Sequence, residues 1–143
     1  MTWKVHTLDL GLVELNRRRM IVNASGNATV QVPVQSWLLT RDHQKVVIDT
    51  GFRHTDVVSR LGDGVRGLAN SEQNIVSQLA LHDIQPCDVT YILHTHLHLD
   101  HAGQTDVFPN ETVVVVNRRE LEYAASGLSG PSYPPEDIKH LID

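Results

Sequence analysis

Residues 89–104 read VTYILHTHLHLDHAGQ, and this stretch is the most informative part of the sequence. Val89 to Leu93 is a short run of mostly β-branched and aromatic residues, which predicts a buried strand. Four of the nine histidines follow within the eight residues from His94 to His101, where an even distribution would place 8 × 9/143, or about 0.5. The strand therefore delivers a histidine-rich segment at its carboxyl end, where α/β proteins place their sites.

The histidine segment has the spacing of a site for two metal ions. His96 and His98 are two residues apart, so in an extended segment their rings lie on one side and can bind one cation. A turn after Leu99 would bring Asp100 and His101 onto a second cation about 3.5 to 4 Å away. These ligand types suit iron, manganese and cobalt as well as zinc. We expect two divalent cations, with Zn²⁺ as the first choice.

Two further polar residues lie close to this segment in the predicted fold. Asp49 ends an apolar strand and precedes Thr50-Gly51, so its carboxylate is expected to accept a hydrogen bond from a metal ligand or, alternatively, only to form a turn. His94 has no role in a two-metal arrangement and is expected to be structural. The five remaining histidines are scattered without ligand spacing and are expected to be solvated or packed: His6, His43, His54, His82 and His140.

The composition is that of one folded domain. Of 143 residues, 41% are hydrophobic and 20% are charged, and the net charge of −5 without a long basic block argues against a nucleic-acid partner. Cys87 is the single cysteine, expected to be buried, so no intrachain disulfide can form. The first residues lack a signal-peptide pattern and no apolar run reaches the ~20 residues of a membrane helix. We expect a cytoplasmic protein without a membrane partner.

Hydrophobic periodicity predicts an α/β layer. One or two strands open the chain, with Gly11 as a bend or bulge, and a helix capped by Ser71 follows later. The other predicted elements are strands at 36–40, 45–49, 89–93 and 112–116, a helix at 118–125 and a short final helix at 135–142.

The motif HTHLHLDHAG after a hydrophobic strand, with VVIDTG upstream, resembles the metallo-β-lactamase superfamily. The stretches PVQSWLLTRDHQKVVIDTGF and VTYILHTHLHLDHAGQTDVFPNETVVVVNRRELEYA look most like N-acyl homoserine lactonases, which are quorum-quenching enzymes, and related small-lactone hydrolases. The resemblance implies that His96 and His98 bind the first zinc and that Asp100 and His101 bind the second. It also implies that a metal-bridging hydroxide attacks the lactone carbonyl, while Asp100 passes a proton to the leaving alkoxide.

The resemblance further implies an αββα sandwich, of which this chain would form one αβ half: a mixed sheet with helices on one face. Residues 1–143 are accordingly expected to be the N-terminal part of an incomplete hydrolase domain. Its open sheet face would need a C-terminal half, a second chain or another copy as cover. The family's later ligands have no match after His101, so the isolated chain is expected to hold metal weakly and to be inactive. Gln104 replaces a glycine of many relatives, which makes the turn after the motif less assured.

Two other hypotheses remain at this point. The same site in this fold would also suit a thioester, a β-lactam or a phosphoester, because fold does not fix chemistry. Alternatively, the chain is a non-catalytic half-domain that binds metal or a partner through its uncovered sheet face. A substrate panel separates the first hypothesis from lactone hydrolysis, and a size measurement tests the second.

Overall fold

The computed structural model describes residues 2–142, in which six strands form one sheet with the order β4-β1-β2-β3-β5-β6. The strands are β1 (Lys4–Asn16), β2 (Thr29–Arg41), β3 (Gln44–Ile48), β4 (Arg66–Leu68), β5 (Tyr91–Leu93) and β6 (Val113–Val115). β1 pairs antiparallel with β2 and β4, and β2 pairs antiparallel with β3. β3, β5 and β6 are parallel to one another. The sheet is therefore mixed, as the sequence predicts.

The helices are short: α1 (Thr55–Ser59), α2 (Ile75–Ala80), α3 (Leu99–Ala102), α4 (Arg118–Ala125) and α5 (Pro135–Lys139). Helices α1 and α2 pack on one face of the sheet, where their apolar side chains join those of the strands in the main core. Helices α4 and α5 contribute to a smaller core around Leu97 and Ala102. Within residues 2–142, no helix has both the length and the apolar character that crossing a membrane requires.

The two faces of the sheet differ in burial. Leu38, Val47 and Ile92 lie in register across β2, β3 and β5, and all three are fully buried against the helices. Side chains alternate along a strand, so the neighbouring residues project from the opposite face. There Tyr91 and Val113 are partners in register, yet they are 38% and 50% exposed. The helices thus cover one face and leave apolar area exposed on the other, in agreement with the expected half-sandwich.

The opening segment forms a single strand with a bulge at Gly11. The pairing of β1 with β2 shifts between Asp9 and Leu12, and Gly11 has φ +103°. A Cβ atom at Gly11 would lie 2.5 Å from the carbonyl oxygen of Leu68 on β4. Glycine is therefore required both by the backbone conformation and by the close approach of the neighbouring strand.

Several local predictions need correction. Helix α2 is capped by Asn74, whose side chain accepts a hydrogen bond from Ser77 N, and not by Ser71. The sequence pattern also missed α1 and β4, which are too short for a periodicity to emerge. The last helix ends at Lys139 and not at Ile142, and Cys87 is exposed although it was expected to be buried.

An ion pair ties α5 to the loop after β3. The Nε of Arg53 lies 2.8 Å from Oδ1 of Asp137, and its Nη1 lies 2.6 Å from Oδ2 of Asp106. Burial raises the pKa of Asp137 to about 6, although Arg53 acts in the opposite direction. The Oδ2 atom of Asp137 is buried without a hydrogen-bond partner among residues 2–142, which also favours the protonated carboxyl. The charges of Glu136 and Asp106 also raise the pKa of Asp137.

Asp137 is expected to make the stability of the chain fall between about pH 4 and pH 6. A carboxyl whose pKa is higher in the folded state than in the unfolded state binds more protons when folded, so the unfolding free energy decreases as pH rises through this window. The loss amounts to about 3 kcal/mol. Urea unfolding of wild type and Asp137→Asn at pH 4, 5, 6 and 7 measures it as the difference between the two proteins. A constant difference across these pH values would contradict the assignment.

Candidate metal centre

The parallel pairing of β3 with β5 brings two distant segments to one edge of the sheet. Ile48 and Leu93 are partners in register, so Asp49 and His94 leave their strands side by side. The chain from His94 to His98 then runs into the four-residue helix α3. Side chains alternate along it as the spacing predicts, because Leu97 and Leu99 are buried while His98 is exposed.

Backbone hydrogen bonds join the loop after β3 to helix α3. Thr50 N donates to His101 O at 2.6 Å, and Gly103 N donates to Gly51 O at 2.8 Å. Asp49 has φ +61°, a left-handed conformation that aspartate tolerates better than most residues. The two loops are therefore fixed against each other over a sequence separation of about fifty residues.

Gln104 does not impair the turn after the motif. The backbone at Gln104 has φ −117°, which any residue adopts, so glycine is not needed there. The Oε1 atom of Gln104 accepts from Ile75 N at 3.1 Å, and its Nε2 donates to Phe52 O at 3.0 Å. The buried amide thus connects the start of α2 with the loop after β3. The turn after the motif forms, so the expectation that Gln104 would make it less assured is wrong.

The structure brings the four sequence-predicted metal ligands together. The ring centroids of His96 and His98 are 4.6 Å apart, and those of His96 and His101 are 3.9 Å apart. The Oδ2 atom of Asp100 lies 3.5 Å from Nε2 of His101. All four side chains retain some solvent exposure, so this cluster is accessible from outside.

Asp49 lies beneath the cluster and orients two of its rings. Its Oδ1 accepts from Thr95 N at 2.8 Å, and its Oδ2 accepts from Thr95 Oγ1 at 2.7 Å. The same Oδ2 lies 2.8 Å from Nδ1 of His101. An ionised carboxylate only accepts, so Nδ1 of His101 carries a proton, and Nε2, which lies 3.5 Å from Oδ2 of Asp100, is the nitrogen that remains for a cation.

The hydroxyl of Thr95 extends this arrangement to His96. Because Thr95 donates its hydroxyl hydrogen to Asp49, its oxygen accepts from Nδ1 of His96 at 3.1 Å. His96 therefore carries its proton on Nδ1, and its Nε2 keeps a lone pair. One buried carboxylate thus places a proton on Nδ1 of both rings, which is how proteins commonly orient histidines for a metal ion.

Burial and neighbouring charges shift the pKa values of the cluster in different directions. Burial would raise the pKa of Asp49, but hydrogen bonds from His101 and Thr95, together with the nearby ring of His94, hold it well below its usual range. Burial lowers the pKa of His96, and the neighbouring His101 and His98 lower it further. Burial lowers the pKa of His101 as well, but the carboxylates of Asp49 and Asp100 outweigh this effect and raise it.

His94 is buried behind the cluster. Its Nε2 lies 3.0 Å from the hydroxyl oxygen of Thr105, and its Nδ1 lies 3.6 Å from Oδ1 of Asp49. These contacts agree with the structural role expected for this residue.

The donor set fits divalent cations in its chemistry but offers only pairs of ligands. His96 with His98 provides two nitrogens, and Asp100 with His101 provides a nitrogen and an oxygen. In the described part of the chain, no group of three or more His, Cys, Asp or Glu side chains is arranged to hold a metal ion. Catalytic zinc usually has at least three protein ligands. The cluster is therefore part of a candidate metal centre.

Sequence reasoning missed three residues beside this cluster: Thr95, Glu120 and Tyr133. Glu120 Oε1 accepts from Leu97 N at 2.8 Å and from the hydroxyl of Tyr133 at 3.0 Å. The ring of Tyr133 contacts the ring of His98 with centroids 4.8 Å apart. Burial and the carboxylate of Glu120 raise the pKa of Tyr133 to about 12. The only signal in the sequence was the spacing of Asn117 and Glu120, which is typical of a helix cap.

The family model of the metallo-beta-lactamase superfamily matches residues 29–141 of the chain. The chain is 32% identical over 127 residues to the N-acyl homoserine lactonase AttM of Azorhizobium caulinodans, covering 85% of this chain and 48% of that protein. It is 33% identical over 128 residues to the N-acyl homoserine lactonase AiiA of Bacillus thuringiensis subsp. kurstaki, covering 85% of this chain and 51% of that protein. The chain spans about half the length of the curated relatives it matches.

Solved structures of similar proteins have the same fold. An N-acyl homoserine lactone hydrolase with N-hexanoyl-L-homoserine bound at its catalytic metal centre matches with a TM-score of 0.83 at 26% identity, covering 96% of this chain and 57% of that one. A mutant of B. thuringiensis AiiA with N-decanoyl-L-homoserine bound at its active site gives the same TM-score, identity and coverage. The dizinc quorum-quenching lactonase AidC, at 14% identity and a TM-score of 0.62, shares the fold, covering 97% of this chain and 53% of that one.

Proposed function

The chain belongs to the metallo-beta-lactamase superfamily, and from this premise we propose that it is part of a metal-dependent hydrolase that opens N-acyl homoserine lactones. The observation that carries the proposal is the orientation of His101 by Asp49 directly, and of His96 by Asp49 through Thr95, which leaves Nε2 of each ring as the nitrogen available to a cation. Histidines that are only exposed at the surface do not require a buried carboxylate to fix the orientation of their rings. The lactone is proposed as substrate because the relatives AttM and AiiA are N-acyl homoserine lactonases.

Each ligand has a proposed role. His96 and His98 would hold one divalent cation, and Asp100 and His101 would hold a second, with zinc as the proposed metal. Divalent cations at such a site supply Lewis acidity and lower the pKa of water towards about 7. Asp49 would keep the ligand rings in one orientation. In the proposed hydrolysis, the oxygen of a water molecule would form a new bond to the lactone carbonyl carbon. A carboxylate oxygen of Asp100 would take up the proton that this water loses and pass it to the alkoxide oxygen that leaves when the ring C–O bond breaks.

We propose that further ligands come from a segment or chain outside residues 2–142, because two protein ligands for each cation are fewer than a catalytic metal usually has. The same part would cover the apolar sheet face around Tyr91 and Val113. Burial of apolar area is worth about 25 cal/mol per Å², so covering this face would stabilise the fold. Light scattering tests this part of the proposal, since a metal-free monomer of 16.0 kDa that is stable on its own contradicts it.

A substrate panel tests the proposed activity. The chain, alone and together with a supplied C-terminal half of a relative, is loaded with zinc and assayed against an N-acyl homoserine lactone, a thioester, a β-lactam and a phosphoester. We expect lactone opening to be the fastest of the four reactions. Its rate is measured by pH-stat titration. If another substrate is turned over faster, its chemical class replaces the lactone in the proposal. Absence of metal and of every activity in the completed protein would support a non-catalytic half-domain.

Asp49→Asn is expected to weaken zinc binding about 10- to 100-fold, because outer hydrogen-bond partners of metal ligands typically contribute this much to affinity. Asparagine tolerates the positive φ of this position but lacks the charge and one acceptor oxygen. Competition with a chromophoric zinc chelator measures the affinity. Asp42→Asn is the matched control, because Asp42 also has positive φ but is exposed at the β2–β3 turn. Equal zinc affinity of both variants would argue against a role for Asp49 in orienting the ligands.

A further inference from the structure

Leu97 lies between the proposed metal ligands His96 and His98. Contacts of both its side chain and its backbone fix its position. Its side chain is fully buried in the smaller core with Ala124 and Ile138. Its backbone N–H donates to Oε1 of Glu120 at 2.8 Å, across 23 residues of sequence. The side chains of His96 and His98 leave the chain on either side of this point, so a shift of the Leu97 backbone changes the direction of both rings.

The start of helix α4 leaves Glu120 free for this contact. Asn117 caps the helix, and its side chain accepts from Arg119 N. Glu120 occupies the third helical position, where a glutamate commonly turns back to the capping residue. Here its Oε1 instead accepts hydrogen bonds from outside the helix, from Leu97 N and from Tyr133 Oη. The carboxylate thus connects helix α4 to the ligand segment.

Tyr133 completes the connection on the side of His98. Its hydroxyl donates to Glu120 at 3.0 Å, and its ring meets the ring of His98 edge to face with centroids 4.8 Å apart. Tyr133 is itself buried in the smaller core, so its position is fixed by packing. Asp49 orients His96 and His101 from the strand side of the cluster. Glu120 and Tyr133 hold Leu97 and His98 from the helix side.

We propose that Glu120 is a positioning residue: by holding the backbone of Leu97 and the ring of Tyr133, it sets the geometry of the His96–His98 pair and thereby its affinity for a divalent cation. This inference rests on the proposed function for its metal ion, but its geometry exists without one. Glu120 acts through Leu97 and Tyr133 and is not itself a ligand.

Glu120→Ala is expected to lower the zinc affinity of the full chain about 10- to 100-fold, the range found when groups that orient metal ligands are removed. Glu120→Gln keeps an oxygen that can accept both hydrogen bonds, so it is expected to bind zinc nearly as well as wild type. Tyr133→Phe removes only the hydroxyl and is expected to lie between them. Glu122→Ala is the control, because Glu122 is exposed on the same helix. Zinc affinity is measured by chelator competition, and the exchange rate of the Leu97 amide hydrogen is measured by NMR without metal.

The outcomes separate this inference from the proposed function. Weak zinc binding and fast Leu97 exchange in Glu120→Ala, with both restored in Glu120→Gln, support it. Equal zinc affinity in wild type and Glu120→Ala overturns it, even if the variant melts at a lower temperature, because that would be a structural role only. If wild type binds no zinc, the proposed function fails, and Leu97 exchange alone decides whether Glu120 holds the loop. Equal exchange rates would then overturn that role too.

Discussion

His98→Ala is expected to reduce zinc binding at the first proposed site by more than about 100-fold, and lactone hydrolysis by the completed enzyme with it. Removing a group that only orients a ligand costs about 10- to 100-fold in affinity, so removing one of two ligands has a larger effect. His98 is exposed, and its loss leaves the buried side chains of Leu97 and Leu99 in place. The variant should therefore fold normally.

Two measurements test this expectation. Chelator competition gives the zinc affinity, and urea unfolding shows whether the fold is intact. His43→Ala is the matched control, because His43 is exposed in the turn between β2 and β3, away from the cluster. If His98→Ala retains the zinc affinity of the His43→Ala variant, His98 is not a ligand and the assignment of the first site is wrong.

Gly103→Ala is expected to destabilise the chain by about 3 kcal/mol, because overpacking against groups that cannot move has costs of this size. An added Cβ would lie 2.8 Å from Leu99 O and 2.8 Å from Phe52 C, and closer still to Arg53 N. These are backbone atoms on two sides, and Gly103 N donates to Gly51 O at 2.8 Å, so the segments cannot separate without losing that bond. The glycine that ends the motif is thus required for close packing of two loops.

The Gly26→Ala variant is a comparison that separates the energetic cost of steric contact from the cost of backbone strain. Gly26 has φ +82° but open space around its Cβ position, so alanine there costs only about 1 to 2 kcal/mol in conformational strain. Gly103 has an ordinary helical φ of −68°, so its cost comes from contact alone. Urea unfolding of both variants gives the comparison. A Gly103→Ala variant less affected than Gly26→Ala would show that the loops move apart easily.

The sequence predicted the parts of the fold that have strong local patterns. The apolar runs ending at Asp49 and Leu93 predicted two buried strands, and the spacing from His96 to His101 predicted the candidate ligands that the structure brings together. Helix α1 and strand β4 were missed because elements of five and three residues show no period, and tertiary contacts decide their conformation.

The contacts that hold the cluster were harder to predict. The alternative of a purely turn-forming Asp49 remained open because its link to His101 spans 52 residues. The carboxylate of Glu120 reaches Leu97 across 23 residues, which no local spacing shows. Hydrogen bonds between distant segments depend on the topology of the sheet, which a local pattern does not contain.

The pairing of β3 with β5 has a consequence for the order of folding. All four proposed ligands lie within one short segment, but Asp49, whose carboxylate orients His96 and His101, is 46 residues away from Thr95 in the chain. Closing a loop of this length has an entropic cost, and parallel strand pairs form slowly for that reason. The ligand segment can therefore adopt its local shape early, whereas the rings of His96 and His101 become oriented only when the two strands meet. Metal binding would then be a late event in folding, and a metal-sensitive probe would measure when these two strands pair.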